Sequence, residues 1–249
     1  MAEVVAANEA MVCWTIGSTT VVQTRNHAAR LRRRWLAWFR RIGWTLFAAF
    51  VGRNLRRVPV RFVRDLLEGA WLAGQRLVFK TLSGIGGFSL YGPDKIMDYW
   101  ETPSYARYAF TFWAVPSENW VDNLRAYVEF ADEHFRRTGF RCNMPLGSYF
   151  VKQDRGSLLS YTWDGDVLSL DPIHSYRAED ADEWYAFLRA FNAWAHERGG
   201  IALLNQSPFV TREQVLAAYG DRWRRFSEWA KEVDPGRRMV NEFFADLLV

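Results

Sequence analysis

Two stretches of this sequence carry polar side chains where a binding surface needs them. Asn205 and Gln206 follow the apolar run Ile201-Ala-Leu-Leu204 and precede Ser207-Pro208. Primary amides at the end of a strand offer donors and acceptors to a ligand without adding charge. The second stretch is 141–162, where Arg141, Asn143, Lys152, Gln153 and Tyr161 put polar groups along otherwise sheet-like segments. His174, in Asp171-Pro172-Ile173-His174-Ser175, lies on a loop just past an apolar strand and can reach a site. His134 and His196 fall near the ends of predicted helices, where a cation meets the negative end of the helix dipole, and read as structural.

Other chemistries lack their residues. Asp164 and Asp166 are near enough for acid–base work, but Asp164-Gly165 reads better as a turn, since Gly tolerates positive φ. No G-x-S-x-G elbow or Cys/His pairing supports nucleophilic hydrolysis. Cys13 and Cys142 with four scattered His make no zinc set, so no metal is expected. Two thiols also make no disulfide framework, which points to a reducing, cytoplasmic compartment. Gly84, Gly86 and Gly87 lack the G-x-G-x-x-G spacing of a phosphate cradle and read as a linker.

The elements that must position these residues follow from periodicity. Apolar residues Leu31, Trp35, Trp38, Ile42 and Leu46 predict a helix over 26–51, and Phe62, Val63, Leu66, Leu67 and Trp71 predict another over 59–79. Residues 1–24 are weakly patterned, with a β-leaning stretch at Thr19 to Val22. Residues 105–115 read as a strand closed by Pro116. Ser117 and Glu118 start a helix carrying Trp120, Leu124, Val128 and Phe135, ended by Gly139. Strands are expected at 140–152, 157–163 and 167–171, the last two joined by a hairpin at Asp164-Gly165. Asp182 caps a helix with the stripe Trp184, Phe187, Leu188, Phe191 and Ala195, stopped by Gly199-Gly200. A short strand, 201–204, follows; then Thr211 and Gln214 have capping-box spacing. Two short helices break near Gly220. The expected class is α+β, an antiparallel sheet with helices packed on one face, preceded by an Arg/Trp-rich helical segment. The expected organisation is 1–92 as helical segment plus Gly-rich linker, and 93–249 as the α+β domain.

Charge divides the chain of 249 residues. Residues 1–64 hold 12 Arg against Glu3 and Glu9, a balance of +10, while 65–249 carry a balance of −6. With Trp35, Trp38, Phe39 and Trp44 interleaved, the basic segment suits an anionic membrane surface or an acidic partner protein. Its apolar stretch, Ile42 to Gly52, is too short to span a bilayer. No nucleic-acid-binding signature accompanies it.

Residues from about 95 to 248 resemble the C-terminal substrate (cap) domain of FAD-linked oxidases, the superfamily of vanillyl-alcohol oxidase and the sugar-lactone oxidases. The likeness is carried by Lys95-Ile-Met-Asp-Tyr99, Phe110-Thr-Phe-Trp-Ala-Val-Pro116, Gln153-Asp-Arg-Gly-Ser-Leu-Leu-Ser-Tyr161, Gly199-Gly-Ile-Ala-Leu-Leu-Asn-Gln206, Asp234-Pro235 and Asn241-Glu-Phe-Phe-Ala-Asp-Leu-Leu248. The resemblance implies a ferredoxin-like cap over a flavin. It implies that Asn205, Gln206 and Asn241 meet the cofactor, and that Arg141, Asn143, Lys152, Tyr161 and His174 meet the substrate. Some relatives have Lys or His in the strand-end segment where this chain has Asn-Gln. The implied chemistry is oxidation of a CH–OH group in an alcohol, polyol or sugar lactone, with hydride passing to flavin N5. Nothing in residues 1–90 resembles the glycine loop that holds the FAD pyrophosphate, so the expected partner is a FAD-binding domain or subunit in trans. The alternative is a non-catalytic interaction module whose basic amphipathic segment, residues 26–64, docks on a membrane or an acidic partner.

Overall fold

The computed structural model describes residues 2–27, 35, 55–82, 108–176 and 181–248. The expected helix over 26–51 and the Gly-rich linker lie almost wholly outside these residues. The chain divides into two compact units. One comprises Met1–Ala109, Arg141–Gly147 and Ile173–Asp182; the other comprises Phe110–Phe140, Ser148–Pro172 and Glu183–Val249.

In the first unit a short helix α1 (Ala2–Ala6) precedes an antiparallel hairpin of β1 (Ala10–Ile16) and β2 (Thr19–Arg25), with Ile16 opposite Thr19. Its turn uses Gly17 at φ 53°, a conformation that costs Gly nothing and other residues a steric clash. The β-leaning stretch is therefore the second strand of a hairpin whose first strand buries Met11, Val12, Cys13 and Ile16. Helix α2 (Arg61–Leu82) lies against this hairpin, its Arg76 donating to Ser18 Oγ at 3.0 Å and Thr19 Oγ1 at 3.4 Å. Two short strands, β3 (Tyr108–Phe110) and β7 (Ile173–Ser175), pair with each other.

The second unit is an antiparallel sheet in the order β5-β6-β4-β8, formed by β4 (Trp113–Pro116), the later part of β5 (Leu146–Val151), β6 (Val167–Leu170) and β8 (Ile201–Ala202). Helices α3 (Trp120–Thr138) and α4 (Ala181–Glu197) cover one face, giving the α+β class. Helix α3 enters through a 3-10 turn at Ser117–Asn119 and stops at Gly139, whose left-handed φ of 73° lets its N–H reach Phe135 O. The α4 stripe is fully buried at Trp184, Phe187, Leu188, Phe191 and Ala195. Phe130 of α3 meets it, its ring 5.8 Å from Phe187 and 5.3 Å from Trp194. Helices α5 (Arg212–Tyr219), α6 (Asp221–Val233) and α7 (Glu242–Leu247) complete the unit. The Thr211/Gln214 capping box is present with both of its reciprocal bonds.

Three local expectations change. Of the strand expected over 105–115, the described part from Tyr108 is two short strands with a break at Thr111-Phe112. Residues 157–163 form turns, not a strand, and Asp164-Gly165 closes no hairpin. The reason is that Arg222 donates to the carbonyls of Leu158 (3.0 Å) and Ser160 (2.8 Å), while the Ser160 and Thr162 hydroxyls bond each other at 3.1 Å. Those groups have partners outside a ladder, the carbonyls a distant arginine and the hydroxyls each other, so no strand pairing is needed. Asp182 is not the cap of α4 but lies within the helix.

Candidate functional site

Strand alternation gives the second unit's sheet two faces. Trp113, Val115, Leu168 and Leu170 are paired across β4 and β6 and fully buried. Trp113 Nε1 donates to Asn192 Oδ1 of α4 at 2.8 Å, which fixes this face as the helix-covered one. The intervening residues look the other way. Phe112, Ala114 and Val167 form a small cluster closed by Val151, Tyr161 and Leu203. Ser169 lies opposite Ala114 on this second face, and Asp171, two residues further on, follows it.

The segment after β8 is pinned to the same cluster. Leu203 N–H and Ser207 Oγ both donate to Phe112 O, at 3.0 and 2.6 Å. Gln206 N–H closes a turn on Leu203 O at 2.9 Å, and Asn192 Nδ2 holds Pro208 O at 2.8 Å. Phe209 is fixed at φ 63°, with the Arg189 guanidinium 4.0 Å from its ring centre. Between these anchors Asn205 is exposed and Gln206 half-buried. Neither side-chain amide has a hydrogen bond among the described residues.

Asp171 is only 3% exposed. It accepts a hydrogen bond from the Ser169 hydroxyl, whose oxygen takes the Tyr149 N–H at 2.9 Å, and its Oδ1 has no partner. Burial pushes this carboxyl well above the usual carboxylate range, against the pull of Ser169. Tyr161 packs edge-on against Phe112 at 5.3 Å, and burial, then the Asp171 charge, raise its phenol. Tyr219, whose OH donates to Ala202 O at 2.6 Å, has its phenol raised by burial against the pull of the Arg222 charge. Arg222 stands over the Trp163 and Tyr219 rings at 5.0 and 5.2 Å. The face thus carries the Tyr161 phenol and one acid that burial holds toward its protonated form. Such an acid stays neutral over a wider pH range than an exposed aspartate, and is a stronger base once ionised.

Of the residues singled out in the sequence, Tyr161 packs on Phe112, and Asn205 and Gln206 lie in the segment whose Leu203 N–H and Ser207 hydroxyl bond the Phe112 carbonyl. Lys152 is exposed just past β5. Asn241 accepts the Phe244 N–H at 2.9 Å as the N-cap of α7. Arg141, Asn143 and His174 belong to the first unit. There Arg141 donates to Asp65 O. Asn143 is fully buried, exchanging bonds with the Ser175 backbone at 3.0 and 2.9 Å, while His174 Nδ1 accepts the Asn143 N–H at 3.3 Å. Sequence reasoning passed over Asp171, Ser169 and Tyr149. Their signal was alternation: Ser169 and Asp171 are the polar positions of an otherwise apolar Val167–Pro172 run, so they share one face.

A groove of about 190 Å³ between the C-terminal helices, lined by Arg212, Leu216, Trp223, Lys231 and Leu247 among others, includes none of these residues. Among the described residues no group of three or more His, Cys, Asp or Glu is placed to hold a metal ion, and no helix is long and apolar enough to cross a membrane. A family model described as D-arabinono-1,4-lactone oxidase matches residues 4–247. No curated protein matches the chain.

Proposed function

The chain belongs to the D-arabinono-1,4-lactone oxidase family, and from that premise we propose that it forms the substrate-side (cap) half of an FAD-dependent oxidoreductase acting on CH–OH groups of an alcohol, polyol or sugar lactone. The observation that carries this reading is the pinned tip after β8, which carries two amides with no hydrogen bond among the described residues. Neutral amides suit the edge of an isoalloxazine ring, which presents carbonyl acceptors and an N–H donor. When bound, FAD supplies the acceptor for the hydride that leaves the substrate carbon.

The chain's own residues do the rest. Asn205 and Gln206 hydrogen-bond the ring edge, and Tyr161 with Lys152 orients the substrate's oxygens. Asp171, buried and holding its proton, accepts from Ser169 and keeps this face uncharged, and the proton of the substrate hydroxyl is released to water. Asn192, bonded to both Trp113 and Pro208, is the positioning residue of the tip. The pyrophosphate and adenosine are held by a separate domain or chain, because a dinucleotide needs a preorganised nest of backbone N–H groups and the sequence carries no glycine loop of that kind.

The test is a parallel titration of the purified chain with riboflavin and with FAD, followed by flavin fluorescence and the visible absorption band. Both ligands should shift to a similar extent with similar affinity, and Gln206→Ala should abolish the shift. Much tighter binding of FAD, or a chain that purifies yellow, overturns the separate-domain assignment. No shift with either ligand overturns the placement of Asn205 and Gln206.

A further inference from the structure

Helix α6 buries Trp223 and turns a different apolar row outward. Trp229 is 53% and Val233 57% exposed, with the Phe226 ring 6.3 Å from the Trp229 ring. At about 100° per residue, Glu232, Arg225, Trp229 and Val233 fall in that order within an arc of about 100° around the helix axis. Trp223 leaves the helix about 120° from Trp229, on the buried side. A tryptophan beside an arginine on an open helix face has the composition of an interface centre.

The charges in this row have no partner in their own chain. Arg225 and Glu232 are exposed, and neither forms an ion pair among the described residues. Asp221, one turn before Arg225, is taken by Arg224 at 2.5 Å. Glu232 lies in the last turn, at the negative end of the helix dipole, with Glu228 one turn before it. Lys231 leaves the helix about 100° round from Glu232. Arg225 and Glu232 are about 10 Å apart along the axis, outside the one-turn spacing at which helical side chains pair.

The pattern of these charges identifies the occupant. A row with a cation towards one end and an anion towards the other complements itself when read backwards. A partner surface of one sign would meet a like charge on it. A two-fold axis perpendicular to α6, level with Trp229, supplies the reversed copy. Arg225 and Glu232 each lie about 5 Å from that level, so each stands opposite the other residue of the second copy. The two indoles meet at the axis and bury apolar area, while the charges fix direction and register.

We propose that α6 is a self-association helix: two copies of the chain pair antiparallel across Trp229, with Arg225 of each opposite Glu232 of the other. One helix pair buries less than a standard interface, so the dimer is reversible. This association is independent of the flavin reading.

Sedimentation velocity of the full chain from about 5 to 500 μM tests it. The sedimentation coefficient rises with concentration from the monomer towards the dimer. Trp229→Ser weakens association at least about tenfold. Arg225→Glu and Glu232→Arg each weaken it roughly five- to thirtyfold, since one substitution sets like charges together at two places in a symmetric dimer. An equimolar mixture of these two variants regains the association of the parent, because both pairs in the mixed dimer are again of opposite charge. All three residues are solvent-exposed, and unchanged far-ultraviolet circular dichroism verifies that the variants fold. A chain that stays monomeric over this range overturns the proposal. So does association that Trp229→Ser or the single charge variants leave intact, or a mixture that associates no better than either variant alone.

Discussion

Replacing Asp171 by Asn should stabilise the protein, and only above a certain pH. In the folded state Asp171 is 3% exposed, with one oxygen accepting the Ser169 hydroxyl and Oδ1 without a partner. Burial raises its folded value well above 3.8. Between those two values the native chain keeps a proton that the unfolded chain has released, so stability falls as pH rises through the folded value. Below the unfolded value the carboxyl is neutral in both states and this contribution is fully present. Asn keeps the acceptor for Ser169 and removes the charge. The variant should therefore match the parent near pH 4 and exceed it at pH 8. A buried, unsatisfied polar group costs about 1–3 kcal/mol, with charged groups at or beyond the upper end. For a chain of this size that corresponds to a Tm higher by roughly 2–12 °C. Thermal melts by circular dichroism from about pH 4 to 9 measure the difference. A constant offset at every pH, or a variant that is less stable at pH 8, would refute the assignment of Asp171 as a buried proton-holding acid.

Asn192→Leu should strand both the Trp113 Nε1–H and the Pro208 carbonyl, which Asn192 now satisfies at 2.8 Å each; urea unfolding should show a loss of about 2–4 kcal/mol, and hydrogen exchange should quicken at 205–210. His134 is buried among the rings of Phe130, Phe140 and Phe187, with Nδ1 unpartnered; burial, then the Arg137 charge, hold it below 6.5. The unfolded chain therefore takes a proton that the native chain refuses, so stability should drop as pH falls below 6.5 and level off beneath the folded value. In His134→Leu that acid-side slope should disappear from melts between about pH 5 and 6.5.

The two covering helices were legible because their burial is one-sided: Trp184, Phe187, Leu188, Phe191 and Ala195 recur at helical spacing and meet a single layer of partners. The caps were legible for a similar reason, since Thr211, Gln214 and Gly139 act on backbone groups within a turn of themselves. What failed depended on distant residues. Asp164-Gly165 has the local chemistry of a hairpin, but Arg222, some sixty residues away in sequence, takes the carbonyls of Leu158 and Ser160 that a paired strand would use. The tip amides were readable, being polar residues after an apolar strand. Asp171 was not, because an acid before Pro172 looks like loop chemistry, and only the register of β4 with β6 shows which face it joins.

The tip itself carries a strained residue. Phe209 at φ 63° occupies a region that bulky side chains avoid, at a cost on the order of 1–3 kcal/mol. Such a residue persists only where its surroundings over-determine it. Here Ser207 is tied to Phe112, Pro208 to Asn192, and the Phe209 ring lies under Arg189 and 5.1 Å from Tyr185. These four contacts after Asn205-Gln206, and the Leu203 N–H bond to Phe112 O before it, hold the backbone, yet none of them engages either amide. If these anchors served stability alone, a relaxed φ at Phe209 would serve it better, because the same core contacts could be made without the strain. The strain fixes the direction in which Asn205 and Gln206 leave the sheet. On the proposed placement of Asn205 and Gln206, amides held by such a backbone meet the edge of a planar ring with little loss of entropy at the moment of binding, an advantage of preorganisation that offsets the strain.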